Sequence, residues 1–277
     1  MSAPATSISP IAPATLRSAW RVFWYGGLMS YGMLFNWARP SVYIPTVIGG
    51  PTFQLFFFAV LCSYATHRSA AYFAIGNAVQ VSALAGIFGM TMAISNERQF
   101  GTLPALLATP ANRVAVFAGR FMPFIVNGLL VSLYAFALGI VFLGVRLAPG
   151  SIAVAGLALL VTVFSCTAIG ALQGAISLRL RDGLFGANLI TMAILLFCGV
   201  NIPLGELPAW MQVVGNLLPF THGVEAVRQA AAGAGLDRVG GLIATEALVG
   251  VIYAIGAFAL FSYLETSSRR NATLEVR

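Results

Sequence analysis

The stretch Asn96–Arg113, NERQFGTLPALLATPANR, is a short polar insertion between two of the most apolar segments of the chain. It sets Glu97, Arg98 and Arg113 between long runs with almost no charge, so it belongs in water at a membrane face. Pro104 suits the first turn of a helix, Leu103, Leu106 and Leu107 fall on one apolar stripe, and Pro110 ends the segment. The spacing predicts a one-to-two-turn amphipathic helix lying across the mouth of two membrane spans.

Composition agrees with the membrane reading. The 277 residues are 59% hydrophobic and 8% charged, with a mean hydropathy of +0.89, outside the range of soluble globular domains. Ten-residue segments of alternating hydrophobicity, the mark of an outer-membrane barrel, are absent, which leaves an all-α polytopic membrane protein. The net charge of +7 comes from Arg alone, because the chain has no Lys. Membrane topology accounts for that excess, so nucleic acid is not an expected partner, whereas membrane lipids are. Cys62, Cys166 and Cys198 all fall in apolar spans, where Cys packs as a small hydrophobe; neither a disulfide framework nor a metal site is indicated.

Residues 1–15 are rich in Pro, Ala and Ser and read as a disordered cytoplasmic tail rather than a signal peptide. Over 16–40, Leu16, Ala19, Trp20 and Phe23 recur at helical spacing while Arg17 and Arg21 lie on a neighbouring face, predicting an interfacial amphipathic helix. Its apolar run Val22–Phe35 is too short to span and should lie in the surface plane until Arg39-Pro40 turns the chain inward. A six-span domain over 41–264 follows, with spans at Tyr43–Tyr64, Ala70–Ile94, Phe121–Val145, Ser151–Leu178, Leu184–Ile202 and Val239–Leu264. Pro45, Pro51 and Pro123 predict irregular starts to the first and third spans. The polar tail 265–277 is expected in the cytoplasm.

The arginines orient the chain. With a cytoplasmic N-terminus, Arg17, Arg21, Arg39, Arg98, Arg113, Arg120, Arg179, Arg181, Arg269, Arg270 and Arg277 face inside, against Arg68, Arg146, Arg228 and Arg238 outside. Both termini and the stretch Asn96–Arg113 are then cytoplasmic, in the plasma membrane of a prokaryotic cell.

Between Asn201 and Asp237 the chain is apolar yet broken by Pro203, Gly205, Pro208, Gly215, Pro219 and Gly223. Irregular backbone at membrane depth requires cover by protein or a water-filled cavity. The pattern therefore predicts two short helices, Leu207–Leu218 and Thr221–Ala232, dipping back into the outer leaflet. His222 reads as a helix-capping or hydrogen-bonded residue, since no paired titratable group is evident.

No catalytic constellation is present. A phosphate-cradling GxxxxGK[ST] loop requires a Lys, and HExxH and GxSxG are missing, so the chain is not expected to be an enzyme by itself or to carry a cofactor. Polar residues within spans are the remaining candidates for function: Asn77 and Gln80 one turn apart, Asn127, Gln173 and Asn188 singly, and Glu246 inside the sixth span. For each, interhelical hydrogen bonding competes with substrate contact. The scarcity of ionisable groups in the spans argues against a proton- or ion-driven pump.

Glu97-Arg98-x-x-Gly101-Thr102-Leu103, then Leu106-Leu107-x-x-Pro110, resembles the cytoplasmic loop after the second span of ABC-2 type permeases, the membrane subunits of one class of ATP-binding-cassette exporters. The family often has an acidic residue after that first Leu, where this chain has Pro104. Leu207-Pro208-x-Trp210, followed by Leu218-Pro219-Phe220-Thr221-His222, is similar to the re-entrant external hairpin between the last two spans of the same permeases. The family also has an amphipathic helix before its first span. The resemblance implies that Glu97, Arg98, Gly101, Thr102, Leu103, Leu106 and Leu107 couple to a separate ATPase. It also implies that Pro208, Trp210, Pro219 and His222 shape the hairpin. Two ABC ATPase subunits, binding ATP and Mg, and a second permease copy or a sister permease would complete the transporter. Asn77, Gln80, Asn127, Asn188 and Glu246 become candidates for the substrate path. The implied function is ATP-driven export of a hydrophobic or amphipathic small molecule, such as a drug, antibiotic or secondary metabolite. The alternatives are a lipid or lipid-linked polysaccharide exporter of the same family, and a non-transporting membrane scaffold or sensor.

Overall fold

A computed structural model of the chain describes residues 20, 21, 23–28, 40–65, 69–99, 113–178 and 183–271. Among these, nearly every residue is helical and no strand occurs. The long elements are α1 (Pro40–Ala65), α2 (Ala70–Gln99), α3 (Arg113–Phe142), α4 (Ile152–Ser177), α5 (Gly183–Phe197) and α8 (Leu236–Asn271); two short helices, α6 (Ala209–Leu217) and α7 (Thr221–Ala231), lie between α5 and α8. Five helices, α1 to α4 and α8, are long and apolar enough to cross a membrane. α5 has 15 residues, about 22 Å at 1.5 Å per residue, against a hydrocarbon core of about 30 Å.

Several boundaries differ from the hydropathy reading. α5 ends at Phe197 instead of Ile202, because the backbone bends at Cys198–Asn201 and Gly199 adopts φ 75. α3 begins at Arg113, well before Phe121, because Arg120 is buried within the helix instead of ending it at the surface. α8 runs past both ends of Val239–Leu264. Pro45 and Pro51 lie inside α1 and Pro123 inside α3, and both helices continue through them. The two short helices fall where the broken apolar stretch predicted them, as α6 and α7. Residues 20, 21 and 23–28 of the expected interfacial helix are helical, with Trp20 and Phe23 stacked at 5.9 Å. The tail 1–15, the rest of that helix, and the segment holding Gly101, Thr102, Leu103, Pro104, Leu106, Leu107 and Pro110 lie outside the described residues. α2 carries the backbone of Glu97 and Arg98 to its end at Gln99.

α2 stands at the centre, packed on α1, α3, α4 and α5, while α4 lies between α2 and α8. Ala78, Val79 and Ile87 of α2 meet Val131 and Ala135 of α3, Val163 and Cys166 of α4 and Ile194 of α5 in one core cluster. A second cluster joins Met90 and Ile94 of α2 to Phe117, Phe121 and Phe124 of α3 and Ala257 of α8. Large apolar side chains such as Phe53, Phe57 and Leu61 on α1, and Val251, Ile252 and Ile255 on α8, are exposed, as befits surfaces solvated by lipid. In lipid, burial of apolar surface does not drive helices together, so hydrogen bonds between helices carry weight. Thr91 of α2 donates to the Gly170 carbonyl of α4 at 3.0 Å, and Ser132 of α3 to the Ala78 carbonyl of α2 at 2.8 Å. Thr52 of α1 pairs with Tyr134 of α3 at 2.8 Å.

Candidate functional site

The most polar constellation in the described interior gathers beneath the hairpin formed by α6 and α7. The first N–H groups of any helix lack intrahelical acceptors, and a side-chain oxygen at the N-cap normally supplies one. At α7 the N-cap residue is Phe220, which has no such oxygen; it is fully buried and sits at φ 102, in the left-handed region that favours glycine. Acceptors come instead from another helix. Glu246 of α8 takes the Phe220 N–H on Oε1 at 2.7 Å and the Gly223 N–H on Oε2 at 3.0 Å, and the Ser165 hydroxyl of α4 donates to Oε1. The carboxylate is therefore an N-cap supplied from a distance, placed where the positive end of the helix dipole favours an anion. Its residue is 0% exposed. It lies about 15 Å along α8 from Leu236 at 1.5 Å per residue, so the turn between α6 and α7 reaches well down that helix.

The other end of α7 is fixed by a cation. Arg228 is buried, donating from Nη1 to the Gly199 carbonyl at 2.7 Å and from Nη2 to the Val200 carbonyl at 2.5 Å. Its guanidinium carbon also stands 4.0 Å from the centre of the Tyr72 ring on α2. The planar fork of Arg suits two carbonyls at once. Gly76, one turn beyond Tyr72, leaves the room: a Cβ there would lie 2.6 Å from the Val200 carbonyl oxygen and fall on the guanidinium itself. Arg228, counted on the outer side in the topology reading, is buried rather than solvated, since the free carbonyls after the end of α5 draw it inward. Further bonds close the hairpin. Thr221 donates to the Gly215 carbonyl at 2.5 Å, Ser151 to the Ala230 carbonyl at 2.5 Å and Tyr253 of α8 to the Leu217 carbonyl at 3.2 Å.

The two hairpin helices are embedded very differently. α7 buries Thr221, Gly223, Val224, Ala226, Val227, Arg228, Ala230 and Ala231, against α4, α8 and α2. α6 buries only Gly215, and its Trp210 is 61% exposed with its ring 6.0 Å from that of Phe197. Pro208 precedes α6 and accepts the Met211 N–H at 2.9 Å, whereas Pro219 is buried with its carbonyl 3.9 Å from the Cys198 thiol. His222 is half-buried and within electrostatic reach of Glu246, the titratable neighbour that the sequence did not disclose.

The intramembrane candidates do not converge on one place. Asn77 is fully buried and donates to the Phe73 carbonyl at 2.9 Å and to Asn201 Oδ1 at 3.0 Å, tying α2 to the chain beyond α5. Gln80 accepts from Gln54 of α1 at 2.9 Å and, with Leu84, Thr191 and Ile194, lines a shallow groove between α2 and α5. Asn127 is half-buried on α3, and Gln173 is buried on α4. Asn188 is exposed on α5, donating to the Leu184 carbonyl at 2.9 Å. Glu246 belongs to the hairpin anchor, with its oxygens engaged as described above. Sequence reasoning missed Arg228, Ser165, Tyr72 and Gly76. One signal was available: Arg228 stands four residues after Val224 and three before Ala231, on the apolar stripe of α7. Among the described residues, no group of His, Cys, Asp and Glu side chains is placed to hold a metal ion.

These features define a multi-pass helical membrane protein with a polar-anchored hairpin before its last long helix. The chain belongs to the ABC-2 type transporter family, whose description matches residues 26–231. Members of that family are membrane subunits that work with ATP-binding subunits. Over 215 residues the chain is 26% identical to a Mycobacterium tuberculosis protein described as "Probable doxorubicin resistance ABC transporter permease protein DrrC", covering 74% of this chain and 76% of the relative. Over 159 residues it is 22% identical to the Escherichia coli "Probable multidrug ABC transporter permease YbhR", covering 57% of this chain and 43% of the relative.

Proposed function

We propose that this chain is the permease subunit of an exporter that moves a hydrophobic or amphipathic small molecule out of the cell, driven by ATP hydrolysis on a separate subunit. The observation that carries the reading is the likeness, over about three quarters of both chains, to a relative whose description names doxorubicin resistance. The absence of any Lys supports placing ATP and Mg on the partner, because a phosphate-binding P-loop requires one. Two such ATPase subunits would serve a pair of permeases, this chain with a second copy or a sister chain.

In this reading six segments cross the plasma membrane and both termini are cytoplasmic. α5 completes its crossing through the bent backbone after Phe197, which Arg228 covers. The hairpin re-enters the outer leaflet, a depth supported by the position of Glu246 along α8. The connection from α2 to α3, with Glu97, Arg98 and Gly101, docks on the ATPase, and closure of the nucleotide subunits moves both helices together.

The test is co-expression with an ABC ATPase subunit from the same genome, followed by doxorubicin and ethidium accumulation assays and pull-down of the ATPase. ATP-dependent loss of dye with a co-purifying ATPase is expected. Unchanged dye together with a lipid-linked glycan accumulating in a deletion strain would replace the drug substrate with a lipid one. Neither transport nor a bound ATPase would leave a membrane scaffold or sensor.

A further inference from the structure

We propose that Glu246 is the positioning residue that holds the hairpin in register with α8, so that α7 moves with α4 and α8 as one body during transport. Three donors from two different elements converge on this one carboxylate: the N–H groups of Phe220 and Gly223 and the hydroxyl of Ser165. Phe220 offers no cap of its own, and its N–H bonds to Glu246 of α8. Arg228 secures the far end of α7 to the bend after α5. A helix fastened at both ends transmits displacement instead of swinging as a lid. α6, which buries only Gly215, is the more lightly held part of the hairpin, tied at its C-terminal end by the bonds from Tyr253 and Thr221.

The arrangement has a reporter built into it. Cys198 is fully buried beneath the turn, its thiol directed at the Pro219 carbonyl at 3.9 Å. Removing the carboxylate orphans two buried N–H groups, each of which regains a partner only if the start of α7 lifts and water enters. That lift uncovers Cys198. Ala171 of α4, equally buried but in the second core cluster and about 9 Å along the helix from Ser165, is reached only if the bundle itself loosens.

The experiment uses the full chain in native membranes with N-ethylmaleimide as the probe, either with Cys198 kept as the sole thiol or with all three cysteines changed to Ala and Ala171→Cys added as the control thiol. Glu246→Ala should raise the labelling rate of Cys198 by about tenfold or more, leaving that of the control thiol at position 171 unchanged. Glu246→Asp should restore part of the protection, and Glu246→Gln, which keeps one acceptor oxygen, should fall between. An unchanged Cys198 rate, or a parallel rise at both thiols, overturns the proposal. The transport consequence rests on the exporter reading. In the co-expressed complex, Glu246→Ala should lower maximal doxorubicin export while the concentration for half-maximal rate stays within about twofold, and Glu246→Asp should recover it. Full export by Glu246→Ala with Cys198 uncovered refutes the positioning role. A complex that exports nothing with Glu246 intact refutes the exporter reading, and the labelling still decides the anchor.

Discussion

Replacing Arg228 by Met keeps most of its length and removes the fork that covers the end of α5. The Gly199 and Val200 carbonyls then lose their donors in a site closed to water. An orphaned buried acceptor costs about 1–3 kcal/mol, and loss of the cation over the Tyr72 ring about 0.5–2 kcal/mol. These contributions are not additive, because the bend relaxes once it is freed, so the local loss should be about 3 kcal/mol. At 1.4 kcal/mol per factor of ten, amides of residues 198–204 should exchange about a hundredfold faster. Arg228→Lys keeps the charge but presents one ammonium in place of a fork, and should give about a tenfold increase. Hydrogen–deuterium exchange with mass spectrometry on the full chain in nanodiscs reads both. Unchanged exchange over 198–204 in Arg228→Met, or identical protection with Lys and Arg, would show that the guanidinium does not hold the bend.

At Gly223 an added Cβ would meet the Thr162 hydroxyl and lie 2.9 Å from its Cβ, so Gly223→Ala should lower the thermal midpoint by several degrees. Adding Thr162→Ala should recover part of that loss, and a strictly additive double variant would refute the steric account. Glu97→Ala and Gly101→Leu should give normal membrane levels but weaken ATPase recruitment and export; full ATPase-coupled export by both would remove this loop from the coupling path. Single cysteines at Ser2 and Thr273 should be labelled by impermeant maleimide only from the cytoplasmic side. Outside labelling of Thr273 would make the number of crossings odd.

Hydropathy alone located every long helix, because a run of apolar residues in lipid has few alternatives to the helix. It failed at ends that are decided by contacts distant in sequence. α5 stops at Phe197 because Arg228, on a different helix, accepts responsibility for the carbonyls beyond it, and no local pattern around Ile202 carries that information. Glu246 was conspicuous as an acid inside a span, yet its part as a remote cap depends on Phe220 taking a backbone angle that its residue type disfavours. Arg228 entered the topology reading through a rule about charge on either side of the membrane, and that rule carries no information on whether the side chain is buried. The hairpin motif was legible as two helices; which of the two is embedded became visible only from packing.

The interior position of α2 bears on how the chain is made. Its Asn77, Gln80, Ser82 and Thr91 are all buried against neighbouring helices, and most of those neighbours are synthesised after it. On leaving the translocon α2 can pair Gln80 with Gln54 of α1 and return Asn77 and Ser82 to its own carbonyls, while the acceptor for Thr91 on α4 and the donor Ser132 on α3 are still being translated. Partition of this segment into the bilayer is therefore tied to the arrival of α3 and α4. A ribosome stalled before Gly170 should leave the nascent chain carrying α1 and α2 more easily extracted from the membrane than the finished chain, in which Thr91 has its acceptor.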